Sequence, residues 1–208
     1  MFGKEIKMKT KKMENKKSIL FLDCDGVICL SNNWGGRAKK WKKYKKLNPD
    51  ATSDTTAPVD VRFDDFDKKA VKVLNEVLEQ TGAEIVVSSD WRLFATLEEL
   101  GEYFLSKGIL KAPIAFTKRY IGCDKPYEFE WVRRTMYEQQ RCIEIRQYLI
   151  DHPEITHWVC VDDLELGEKD SYDREQKWGL SNFVHTPRQN EGIKQTGVKE
   201  KILKFLND

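Results

Sequence analysis

The chain has 208 residues, 34% of them charged and 40% hydrophobic, enough to bury one core of ordinary domain size. No apolar run approaches the roughly 18 residues of a bilayer span, and the basic start MFGKEIKMKTKKMENKK has no apolar stretch of the secretory kind, so a soluble, cytoplasmic protein is expected. Net charge is only +2, but residues 1–46 hold 14 Lys/Arg against 4 Asp/Glu, net +10, which leaves −8 for the rest.

Residues 1–16 read as a disordered basic arm, and residues 17–208 as one domain. SILFLD (18–23) is a short apolar run ending in acid, as a buried parallel strand would. Residues 31–65 are Asn/Gly/Lys-rich, then Asp/Thr/Pro-rich, with little periodicity; they mark an insertion at about 31–62, a small cap or flap. Then Phe66, Ala70, Val73, Leu74, Val77 and Leu78 form a helical stripe closed by Gly82. AEIVVSS (83–89) is a second strand. Residues 96–108 are a helix opened by a Thr96–Glu99 capping box. APIAFT (112–117) is a third strand, and residues 118–138 a second insertion. RCIEIRQYLIDH (141–152) predicts a helix, THWVCVDD (156–163) and SNFVHT (181–186) strands, and 196–206 a last helix. Strands alternating with helices imply an α/β fold, a Rossmann-like three-layer α/β/α sandwich with a mainly parallel central sheet.

In such sheets ligands bind outside the carboxyl ends of the strands, and three strands here end in Asp23, Ser88 and Asp162. Asp23 and Asp25, in FLDCDGVI, project into one crevice, with Gly26 allowing a sharp exit turn. Carboxylates so crowded repel one another unless a divalent cation sits among them, and Mg²⁺ takes carboxylates, backbone oxygens, waters and a phosphate oxygen. One aspartate can then attack phosphorus, and the other can protonate the leaving oxygen. Asp162 and Asp163, in CVDD, complete the acidic shell. A phosphoryl group also needs neutral donors and a cation: Ser88 with Ser89 supply the first. Arg141, at the expected helix start, supplies the second, with Lys125 and Arg146 as weaker choices.

FLDCDGVI, IVVSSDWR, RCIEI and WVCVDD, in this order, resemble the haloacid dehalogenase (HAD) superfamily, and within it the domains of Swiss army knife RNA-repair proteins. The resemblance spans about residues 18–206 apart from the two insertions. It implies a Mg²⁺-dependent phosphatase with Asp23 as nucleophile, Asp25 as acid/base and Ser88 as phosphate-binding hydroxyl. It further implies Asp162 as direct metal ligand, Asp163 as a ligand through water, and the backbone carbonyl of Asp25 on the metal. Arg141 stands where most members carry lysine.

NNWGGRAKKWKKYKK (32–46) interleaves Trp34, Trp41 and Tyr44 with cations such as Lys40, a pattern suited to single-stranded nucleic acid. WKKYKK reads equally as an amphipathic helix packed on the body, and the basic residues 1–46 as a site for an anionic surface or as a solvated face. Arg92 and Lys125 are further substrate-contact candidates, and Trp91 suits either the pocket or the core. The substrate is a nucleic-acid end, a nucleotide or a phosphoprotein. A catalytically silent module that binds an anionic partner is the rival from another class.

Other chemistries lack their residues. The positions six after each cysteine are Leu30, Gly35, Phe129, Tyr148 and Leu166, so no Cys-x5-Arg phosphatase loop exists, and no GxxxxGK[ST] occurs. The cysteines form no CxxC pair and suit buried thiols in a reducing compartment. His152, His157 and His185 lack zinc-site spacing. A dehalogenase of this superfamily would lack the second aspartate.

Overall fold

A computed structural model describes residues 17–120, 130–168 and 179–208. The expected basic arm, Lys125 and part of the second insertion lie outside the described residues. Five strands form one parallel sheet in the order β3-β2-β1-β4-β5: β1 Lys17–Leu22, β2 Glu84–Val87, β3 Ala115–Phe116, β4 Ile155–Asp162 and β5 Phe183–His185.

The central strand shows why the sheet needs two helical layers. Successive side chains of β1 point to opposite faces, yet Ile19, Leu20, Phe21 and Leu22 are all fully buried. Leu20 and Leu22 pack with Ile85, Val87, Val159 and Val161 in one core. That core is closed by α3 (Lys68–Thr81), α4 (Leu97–Ser106) and α6 (Val198–Asn207) through Leu74, Leu78, Phe104 and Ile202. Ile19 and Phe21 pack with Val86 and Cys160 in the other, covered by Cys142 and Ile145 of α5 (Glu130–Asp151). The result is a three-layer α/β/α sandwich. Strand order reverses at β1, so the crevice between the ends of β1 and β4 is the topological switch point.

Local signals account for the helix ends. The Asp67 side chain caps α3, accepting from the N–H groups of Lys69 and Ala70, and Gly82 ends it in the left-handed conformation. The Thr96–Glu99 capping box opens α4.

Two expectations need correcting. Strand β3 is two residues long rather than six, because Pro113 has no N–H to donate at its start; Ile114 and Thr117 still donate to Ile85 and Val87. The helix expected at 141–152 begins at Glu130, so Arg141 lies in its middle and residues 130–138 of the second insertion are helical. The segment 31–65 holds two helices, α1 (Gly36–Leu47) and α2 (Val59–Arg62). WKKYKK is helical, as one of its two readings has it, but no residue of α1 is buried; Trp41 and Tyr44 stack on each other at 6.0 Å. Among the described residues no helix is long and apolar enough to cross a membrane.

Candidate active site

Asp23 follows β1 directly, and its N–H donates to Val161 O, which pins the two central strand ends together. Asp162 ends β4 and Asp163 follows it. Ligand oxygens of Asp23, Asp162 and Asp163 all lie within 4.8 Å of one another, with Asp23 and Asp162 buried. Opposite them stands Arg141, whose Nη1 donates to Asp23 Oδ1 and to Asp162 Oδ2, both at 2.9 Å. Its Nη2 lies 3.6 Å from Asp90 Oδ1. Sequence periodicity places Arg141 at a helix start; the middle of a long helix serves as well, because α5 crosses the switch point and the side chain reaches in.

The electrostatics follow from burial. Desolvation and the neighbouring Asp162 push the Asp23 carboxyl well above its usual range, while Arg141 pulls it down. Desolvation raises Asp162 to about 6 against the same opposing pull of Arg141. Three carboxylates and one guanidinium leave a formal charge of −2 in this pocket. An all-oxygen donor set with that residual charge fits a hard divalent cation such as Mg²⁺. Asp163 Oδ2 already accepts from Gln189 Nε2 at 2.5 Å, and His185 Nε2 is 3.0 Å from the Asp163 carbonyl, so this residue is held from two sides.

Asp25 stands apart from the cluster. Its carboxylate accepts a hydrogen bond from Trp91 Nε1 at 2.9 Å and is not among the three whose ligand oxygens cluster, whereas the sequence places it with Asp23 in one crevice. Burial raises its pKa, and the Trp91 bond moderates the rise. A raised carboxyl can hold a proton to give away. The turn between the two aspartates is tight: Gly26 has φ +68°, and a Cβ there would lie 2.7 Å from Asp163 Cβ. Any side chain at position 26 would push Asp163 out of place.

Ser88 is fully buried and its Oγ has no partner, an unspent donor at the end of β2. Thr117 Oγ1, at the end of β3, is likewise buried and unpartnered. Ser89 is committed to its own turn, accepting from Trp91 N–H at 3.5 Å.

The substrate-contact candidates divide. Lys40 spends its ammonium on the carbonyls of Asp60 and Phe63 and on Asp65 Oδ1; it fastens α1 to the body and has no donor left for a substrate. Arg92 is tied by Nη2 to Glu144 at 2.6 Å and by Nη1 to Ser89 O, so it braces α5 against the β2 end. The weaker choice Arg146 donates to Gly179 O. Trp34 is 43% exposed and lines a cavity of about 560 Å³ with Asp25, Gly35, Arg37, Ala38, Phe63, Asp64 and Trp91. Trp41 and Tyr44 lie farther along α1, and neither lines that cavity.

Sequence reasoning overlooks Asp64, Asp90, Gln189 and the use of Trp91. Asp64 accepts from the N–H groups of Gly35 and Arg37 and so caps α1 from 27 residues away. Asp90 and Trp91 lie within SSDWR, but their partners Arg141 and Asp25, like those of Asp64 and Gln189, are found only once the chain is folded.

A doubly wound parallel sheet with Asp-x-Asp after its central strand and paired aspartates after the adjacent one has the architecture of a HAD-type domain. The family model for the HAD domain in Swiss Army Knife RNA repair proteins matches residues 19–198, and the chain belongs to that family. No curated protein and no solved structure matches the chain significantly.

Proposed function

We propose that the protein is a Mg²⁺-dependent phosphomonoesterase that works through an aspartyl-phosphate on Asp23, with a phosphorylated nucleic-acid end as substrate. The observation that carries the chemistry is the pairing of two differently placed aspartates: Asp23 in the acidic cluster beside Arg141, and Asp25 outside it on the wall of the cavity. HAD-type domains are typically phosphohydrolases, and the matched family sits in RNA repair proteins, which favours a nucleic acid over a phosphoprotein.

In the first half-reaction a carboxylate oxygen of Asp23 attacks phosphorus and the bond to the leaving oxygen breaks. The Asp25 carboxyl protonates that oxygen as it departs. In the second, the Asp25 carboxylate takes a proton from water, the water oxygen attacks phosphorus, and the acyl–phosphate bond breaks. Asp23 is restored and inorganic phosphate is released. Arg141 pulls the raised Asp23 carboxyl back towards its ionised form and offers N–H groups to the phosphoryl oxygens, and Ser88 Oγ, buried without a partner, supplies a neutral donor. Asp23, Asp162 and Asp163, with the Asp25 carbonyl that the family resemblance adds, would hold Mg²⁺, which when bound neutralises charge on the phosphoryl oxygens.

Phosphate release from 5′- and 3′-phosphorylated oligonucleotides, with Mg²⁺ and with EDTA, tests this reading. Release should require Mg²⁺ and vanish in Asp23→Asn; Asp25→Asn should lower it by about 10²–10⁴-fold. Turnover that persists in Asp23→Asn would defeat it.

A further inference from the structure

The cavity beside Asp25 is not needed to hold the phosphate, which belongs with Asp23, Arg141 and Ser88. Its contents follow from what lines it. Asp25 is on its wall, and in the proposed reaction Asp25 must reach the leaving oxygen, so the group attached to that oxygen lies in this space. About 560 Å³ falls within the range of small-molecule sites. Two carboxylates, Asp25 and Asp64, line it and disfavour a second phosphate there. The occupant is therefore neutral.

Aromatic rings supply most of the apolar wall. Phe63 and Trp91 are buried and stacked on each other at 4.3 Å and 10°, so these faces are already paired. Trp34 differs. The residue is 43% exposed, and its ring has no aromatic partner among the described residues and is held by Nε1 donating to Cys29 O at 3.2 Å. An anchored indole with an open face is a platform for a flat π-system.

We infer that this cavity is a nucleoside subsite: the base of the phosphate-bearing terminal nucleotide stacks on Trp34, and the strand beyond it runs along α1. The inference rests on the phosphatase reading above and adds the part of the substrate that is recognised. A phenol ring would also fit an aromatic cavity, and the helix decides between them. α1 carries seven Lys/Arg and no acid in twelve residues. Lys40 is spent internally. Arg37, on the cavity wall, and Lys39, Lys42, Lys43, Lys45 and Lys46 are exposed, with no carboxylate partner among the described residues. The helix N-terminus itself is closed by Asp64, so the side chains rather than the helix end receive the following phosphates. A row of cations leading away from an aromatic pocket whose occupant is neutral matches one nucleoside followed by a polyanion.

The test uses end-phosphorylated oligonucleotides of one length whose phosphate-bearing nucleotide is either native or abasic, which removes the base and keeps every charge. For the full chain, kcat/KM and the binding constant from fluorescence anisotropy are measured on both. The native end should be preferred by about 5- to 150-fold, the range a single base–aromatic stack produces. Trp34→Ala should bring that ratio towards one and Trp34→Phe should restore most of it. Because each ratio compares two substrates on one variant, a general loss of activity cancels. Equal use of native and abasic ends, or a ratio unmoved by Trp34→Ala, overturns the subsite while leaving the phosphatase reading intact. If no substrate releases phosphate but binding keeps its base dependence, the phosphatase reading falls and the subsite stands. Faster turnover of a phosphotyrosine peptide than of the native oligonucleotide overturns the choice of nucleoside.

Discussion

Replacing Arg141 by alanine leaves two buried carboxylates facing each other without the guanidinium that bridges them. In the wild-type chain one nitrogen, Nη1, serves both Asp23 and Asp162 at 2.9 Å. Removing one partner from a buried charge pair costs about 3–5 kcal/mol. In a chain of this size that corresponds to a fall in Tm of about 6–20 °C, at roughly 2–4 °C per kcal/mol. The sign with pH follows from Arg141 lowering the pKa of both aspartates. Without it their folded pKa values rise further above the unfolded ones, so the stability they contribute is present at low pH and lost as pH climbs through the folded values. The deficit of the variant should be smaller near pH 4 than at pH 8. Urea unfolding followed by tryptophan fluorescence, in EDTA at both pH values and again with Mg²⁺, measures it. Mg²⁺ should narrow the gap by supplying positive charge to the same oxygens, and Arg141→Lys should recover a large part of it. A variant as stable as the wild type at pH 8 in EDTA, or a gap of equal size at both pH values, would refute the reasoning.

Trp91→Phe removes the hydrogen bond that holds Asp25 down, so the Asp25 pKa should rise. The alkaline limb of the kcat profile should then move to higher pH; a limb that stays or moves down contradicts the role given to Asp25. The α1 surface predicts a salt effect: for binding of a single-stranded oligonucleotide, Lys42→Ala with Lys43→Ala should flatten the slope of log K against log salt by about 1.4, roughly 0.7 for each phosphate no longer neutralised. An unchanged slope would remove these lysines from the strand path.

The central sheet is legible because burial of a parallel strand on both faces writes an uninterrupted apolar run. ILFL and VCV, each followed by acid, suffice to place Asp23 and Asp162 at one edge of the sheet. The helical period of α3 and the capping box of α4 are legible for the same local reasons. What cannot be read there is decided by interactions between distant parts of the chain. α1 buries nothing, and its position depends on Asp64, Asp65 and Lys40 meeting across the loop. Arg92 resembles a pocket cation in sequence but meets Glu144, 52 residues on. Trp91 divides its indole between core rings and Asp25, a double use that no spacing rule conveys. Arg141 is singled out by its distance from Asp162, although the helix around it begins eleven residues earlier than periodicity places it.

The most direct measurement is to catch the phosphoenzyme. The chain is mixed with Mg²⁺ and a phosphorylated oligonucleotide, quenched in acid within the first turnovers, reduced with borohydride and sequenced by mass spectrometry. An acyl phosphate at Asp23 would be recovered as homoserine at position 23, with none at position 25 and none when substrate is omitted. Homoserine at another aspartate, or steady phosphate release with position 23 unmodified at every quench time, would contradict covalent catalysis by Asp23.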